Sequence, residues 1–113
     1  MTLILALFNL RPGVTEADYE AWARETDLPT ARGLKSIESF NIYRSTGVFG
    51  ADDAKPPFRY FEIIRVTDLA LLGEEAGSPE MGKVIETFHQ LADNPQLILL
   101  EDIEQGGAGH AAA

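Results

Sequence analysis

Apolar and polar residues follow three different periods along the chain. Leu3 to Phe8 is a continuous apolar run between the start of the sequence and Asn9, and it predicts a strand covered on both faces. Pro12-Gly13 then marks a turn, and the spacing becomes helical. Thr15 offers its hydroxyl to the free N–H groups of a helix beginning at Glu16. Val14 and Tyr19 stand at staple distance across that cap, and Tyr19, Trp22, Ala23 and Thr26 form one stripe. Leu28-Pro29 is expected to end this helix, because the residue before a proline is pushed out of the α region. Ser36 to Arg44 alternates well enough for a second strand, with Phe40 and Ile42 sharing a face with Arg44 and with Asn41 a candidate inward polar group. The segment from Ser45 to Pro57 reads as a long loop, of a length often used for lids. Phe58 to Val66 predicts a third strand carrying Tyr60, Glu62, Ile64 and Val66 on one side. Asp68 to Ala76 predicts a short helix. Ser78-Pro79 is the cap and first position of the next, whose stripe is Met81, Val84, Ile85, Phe88 and Ala92 with His89 on its flank. Asn94-Pro95 is expected to stop it, leaving Leu97 to Leu100 as a last buried strand.

The order strand, helix, strand, strand, helix, strand is that of an α+β, ferredoxin-like βαββαβ arrangement, in which both helices lie on one face of an antiparallel sheet. The other face is left bare, and a second copy of the chain is its simplest cover. In this arrangement Asp27 is expected at the C-terminal end of the inward face of the first helix. Both burial and the helix dipole disfavour a carboxylate there.

Composition narrows the function. A chain of 113 residues is one domain, here 1–105, followed by a Gly/Ala tail, 106–113, in which His110 is expected to carry no chemistry. The net charge of −9, with Lys and Arg scattered singly, argues against nucleic acid or an anionic membrane as partner. Cysteine is absent, so disulfides, thiolate nucleophiles and Cys-ligated metal sites are excluded. Leu3 to Phe8 lacks the basic flank of a signal peptide and is too short to span a bilayer, so a soluble, cytoplasmic protein is expected. There is no Gly-rich phosphate loop, no Gly-x-Ser-x-Gly turn and no zinc-type cluster, and neither a cofactor nor a metal is expected.

The candidate chemistry lies at the helix ends. The fold is expected to bring Asp27 and His89 to one mouth between helices and sheet, where the carboxylate would orient the imidazole as a general acid or base. The alternatives are a solvated Asp27 at the rim and a His89 bonded to a backbone carbonyl. Glu62, flanked by apolar residues in mid-strand, is either a polar group of the cavity or the ion-pair partner of Arg44. Asn41 and Tyr43 are further polar candidates, and Trp22, Phe40, Phe61 and Phe88 are candidate aromatic walls for a flat ligand, or ordinary core.

The run Asn9-Leu-Arg-Pro-Gly-Val-Thr-Glu-Ala-Asp-Tyr-Glu-Ala-Trp-Ala-Arg-Glu-Thr-Asp-Leu-Pro-Thr30, with Ser39-Phe-Asn-Ile-Tyr-Arg44 and Ala92-Asp-Asn-Pro95, resembles the RedY-like (HapK-like) family of dimeric α/β-barrel proteins. The resemblance reaches Glu104. It implies a homodimer with facing sheets and a cofactor-free role on a small aromatic substrate, steering cyclisation or decarboxylation of a coupled indole or pyrrole intermediate. A non-catalytic carrier and a cofactor-independent monooxygenase are the alternatives. Where broader EthD-like relatives have His-x-Pro at the helix end, this chain has Asp27-Leu28-Pro29, so histidine chemistry does not carry over to that position.

Overall fold

In the computed structural model, which describes residues 2–104, four strands form one antiparallel sheet. The strands are β1 (Thr2–Leu10), β2 (Ile37–Arg44), β3 (Tyr60–Val66) and β4 (Ala92–Leu100), in the order β2-β3-β1-β4. The tail expected at 106–113, with His110, lies outside the described residues. Period-two alternation sorts the sheet into two faces. Ile4, Ala6 and Phe8 of β1 and Tyr60, Glu62 and Val66 of β3 are buried under the helices. Leu3, Leu5 and Leu7 of β1 point the other way and are only half-buried in a single chain, beside exposed Ile63, Ile98 and Leu100. The last strand starts earlier than expected, at Ala92. It absorbs a register irregularity opposite Leu7 and Asn9, and Asn94 has φ +45°. The run Leu97 to Leu100 is exposed rather than buried.

The connection from β1 is a tight turn, with the Val14 N–H donating to the Arg11 carbonyl at 3.0 Å and Gly13 at φ +87°. Proline second and a positive φ third are the requirements of a type II turn. Thr15 Oγ1 then accepts from the Asp18 N–H at 3.1 Å, capping α1 (Glu16–Trp22). The helix does not stop at Leu28-Pro29. It widens into a π-helical segment, Ala23–Asp27, in which the Leu28 N–H reaches back to the Ala23 carbonyl, and continues as α2 (Leu28–Arg32). The wide turn removes the conflict expected of Pro29, which has no N–H to donate and whose ring would crowd a carbonyl one regular turn earlier. Asp27 therefore sits within a continuous helical rod, away from any free C-terminal carbonyls.

Ser78 caps α4 (Pro79–Leu91) through its side chain, as its position predicts, and Asp68, expected as the first helical residue, instead caps α3 (Leu69–Ala76) through its side chain. The core between helices and sheet is aromatic. The Phe8 ring meets Phe88 at 5.0 Å and Tyr19 at 5.6 Å edge-on, and it stacks with Tyr60 at 5.7 Å.

The expected long loop is tied down at its base. Asn9 Nδ2 donates to the Pro57 carbonyl at 3.1 Å, Ser45 Oγ donates to the Phe58 carbonyl at 2.8 Å, and Arg59 pairs with Glu16 at 2.8 Å. Its tip projects outward, with Phe49 fully exposed.

Candidate functional site

Two carboxyl groups are buried on the helix-covered side of the sheet. Asp27 is 6 % exposed and Glu62 5 % exposed. Glu62 stands opposite Ala6 on one side and Ile42 on the other, so neither ladder neighbour is basic. One of its oxygens, Oε2, is buried with no hydrogen-bond partner among the described residues, and the Tyr19 hydroxyl is in the same condition. Burial pushes the Glu62 carboxyl up to about 8, and the charge of Asp27 adds to the effect. Burial alone raises Asp27 to about 6. The Tyr19 phenol is held well above its ordinary value, first by burial and then by the charges of Glu62 and Asp27, so the three groups share one neighbourhood. At neutral pH this makes Asp27 mainly a carboxylate and Glu62 mainly a carboxylic acid. Environments that drive two titratable groups apart in this way assign a base and an acid.

A cleft of about 230 Å³ lies between the helical rod and the sheet; neither Asp27 nor Glu62 is in its lining, and Tyr19, which feels both carboxyls, is. Tyr19, Ala23 and Leu28 wall it from the helical rod, and Ile42, Tyr43 and Tyr60 from the sheet. Its lining includes three charged residues, Glu20, Arg24 and Arg44. Glu20 accepts from Arg44 Nη1 at 2.8 Å through both oxygens, from the Tyr60 hydroxyl at 2.7 Å and from Arg24 Nη2 at 3.3 Å. These donors hold the Glu20 carboxyl below its usual range, the Tyr60 hydrogen bond contributing most. The carboxyl pair lies behind this wall. Ile42 is the register partner of Glu62, and Asp27 directly precedes Leu28.

The structure keeps some expected neighbours together and separates others. Asp27 and His89 form no ion pair or hydrogen bond, and the expected Asp–His dyad is absent from the single chain. Two local causes explain this. Asp27 sits within the rod rather than at its end. The buried stripe of α4 is centred on Met81, Val84 and Phe88, so His89, like Ile85, turns to the exposed flank. Arg44 does not neutralise Glu62; it faces Tyr60 across the ladder and reaches Glu20. Asn41 is exposed, accepting from Arg32 Nη2 at 3.2 Å, rather than directed inward. Tyr43 lines the cleft. Phe40 is buried, and Phe88 packs against the aromatic core. Trp22 lines a second groove of about 410 Å³ between the rod and α4, with Thr26, Lys83 and Val84. No residue of the loop from 45 to 57 lines either cavity. Glu20 and Arg24 were legible only as an i,i+4 ion pair, and the isolated hydroxyl of Tyr19 had no sequence signal beyond a core aromatic. Among the described residues no group of three or more His, Cys, Asp or Glu is placed to hold a metal, and no helix is long and apolar enough to cross a membrane.

The sheet order and the two-helix cover define a ferredoxin-like α+β protein, here with a buried acidic centre beside an aromatic cleft. More narrowly, the chain belongs to the HapK family of REDY-like proteins, whose profile matches residues 2–103. The crystal structure of HapK from Hahella chejuensis is similar over 96 % of this chain and 98 % of its own, with 25 % identity and a TM-score of 0.72. An EthD (ethyl tert-butyl ether D) family protein from Bacillus halodurans aligns over 90 % of this chain and 98 % of its own at 16 % identity, with a TM-score of 0.70. A dimeric protein of unknown function from Bacteroides fragilis, described as having a ferredoxin-like fold, aligns over 89 % and 95 % at 11 % identity, with a TM-score of 0.64. These last two likenesses concern the fold alone. No curated protein sequence matches the chain significantly.

Proposed function

We propose that this protein is a cofactor-free enzyme of bacterial secondary metabolism that moves protons on a reactive bisindole- or pyrrole-type intermediate, steering its cyclisation or decarboxylation. The observation that carries the reading is the unpartnered Glu62 carboxyl buried beside Asp27. The substrate class is the one the resemblance to RedY-like proteins implies, and the chain's membership of that family is consistent with it. In cyclisation, Asp27 as carboxylate takes the proton released by the attacking ring N–H, and Glu62 as acid returns one to the carbon or nitrogen that gains electrons. In decarboxylation, the C–C bond to the carboxylate breaks, CO₂ leaves, and the electron pair left on carbon takes the Glu62 proton. Tyr19, which lines the cleft and feels both carboxyls, is the side chain through which a bound ring would meet them. Proton transfer of this kind contributes about 10²- to 10⁴-fold.

The working unit in this reading is a homodimer. The half-buried leucines of β1, together with Phe61, Ile63, Ile98 and Leu100, form an apolar sheet face that a second copy would cover.

The test is product analysis of the upstream reaction mixture with the wild-type protein, Asp27→Asn and Glu62→Gln. Both variants should shift the product distribution towards that of the mixture without protein. An unchanged distribution overturns the acid–base reading. Tight binding of a bisindole with no turnover would make the protein a carrier, and oxygen consumption a monooxygenase.

A further inference from the structure

We propose that the cleft recognises its aromatic guest by a carboxylate group, gripped by Arg24 and Arg44 while the ring lies inward against Tyr19 and Tyr60. The guest's flat body rests on the function proposed above; the carboxylate rests on the cleft itself.

A carboxylate is already bound there, and it belongs to the chain. Glu20 takes one nitrogen from each arginine, Nη1 of Arg44 and Nη2 of Arg24. The remaining Nε and Nη groups of both side chains make no hydrogen bond among the described residues. Their side chains are 69 % and 49 % exposed, so these unused edges are open to the cleft mouth. A guanidinium binds carboxylate best through two parallel N–H donors; Arg44, engaged through Nη1, retains its Nε–Nη2 edge for that purpose, and Arg24, engaged through Nη2, adds its free Nε or Nη1 as a single donor.

The charge balance points the same way. Two arginines against one glutamate leave the lining with one positive charge in excess, within a chain of net charge −9. A monocarboxylate cancels the excess; a neutral guest does not. Behind the cleft wall the buried Asp27 carboxylate repels an anion and favours an N–H donor. A bipolar guest therefore has one favourable orientation, with its carboxylate at the mouth and its ring nitrogen towards the buried pair, an orientation that serves the cyclisation step and not loss of the gripped carboxylate.

Indole-3-acetate and its neutral isostere indole-3-acetamide separate the possibilities by calorimetric titration at pH 7 and low salt. The acid should bind at least about tenfold tighter than the amide. Arg24→Gln and Arg44→Gln should each reduce that preference, and together abolish it, with amide affinity changed less than about twofold. Arg24 has a single, long contact, so its variant is expected to fold even if loss of Arg44 disturbs Glu20; Arg24→Lys should restore part of the preference. Equal affinity for acid and amide, a preference that survives the double variant, or no binding of either probe overturns the proposal. Asp27→Asn and Glu62→Gln remove no arginine and should keep the acid preference. If they also leave product distribution unchanged, the acid–base reading fails while the carboxylate grip stands.

Discussion

Replacing Glu62 by glutamine should turn a pH-dependent protein into one much less sensitive to pH. In the folded chain this carboxyl is raised from 4.5 to about 8, so the native state binds its proton more tightly than the unfolded state does. Stability falls with rising pH wherever the native state holds more protons. For a raised carboxyl this stability is fully present below the unfolded value near 4.5 and is lost as pH rises through about 8. Each pH unit in that window is worth about 1.4 kcal/mol, so from pH 6 to pH 9 the wild type should lose roughly 2–3 kcal/mol on account of Glu62. Asp27, raised to about 6, adds a smaller loss that is largely complete below this range. The amide introduced by Glu62→Gln keeps the shape and a donor but never ionises. Urea denaturation at pH 6, 7, 8 and 9 measures the difference. The wild-type midpoint should fall steadily and that of Glu62→Gln should stay nearly level, making the variant the more stable protein at pH 9. Parallel curves for the two proteins, or a wild type more stable at pH 9 than at pH 6, would refute the buried, uncompensated carboxyl.

The same geometry sets three other outcomes. His89→Ala should leave product distribution and rate within about twofold of wild type, against the loss of about 10² or more for a proton-transfer group, as measured in the product assay. Leu5→Asp on the bare sheet face should convert a dimer into a monomer in light scattering after gel filtration, whereas the same change at exposed Leu69 should not. Thr15→Ala removes the acceptor for the Asp18 N–H and should lower stability by about 1 kcal/mol in urea denaturation.

The sequence carried the fold wherever a feature was local. The Thr15 and Ser78 caps, the Pro12-Gly13 turn and the alternation in β3 each depend on residues a few positions apart, and each is found as expected. What failed depended on register or on relief of a local conflict. Glu62 stood out as a carboxyl among hydrophobes, but its ladder neighbour turned out to be Ile42 because strand register is fixed by pairing that no single segment encodes. Pro29 was a sound stop signal for a regular helix, and a π turn let the chain pass it. His89 lies one position beyond Phe88, and one position is about 100° around a helix, enough to carry it from the flank of the buried stripe to solvent. The acidic centre is therefore half-legible: Asp27 and Glu62 each stand out in the sequence as carboxyls among apolar neighbours, but their proximity to one another and to the Tyr19 hydroxyl requires the packed helix and sheet.

At neutral pH Asp27 and Glu62 should hold about one proton between them, and the proposed chemistry depends on it. Carbon-13 NMR of the labelled side-chain carboxyls, followed across the acid-to-alkaline range, tests this directly. One carboxyl should titrate near 6 and the other near 8, with Asp27→Asn lowering the Glu62 midpoint by removing its charged neighbour. Both carboxyls titrating below about pH 5, as solvated groups do, would contradict it.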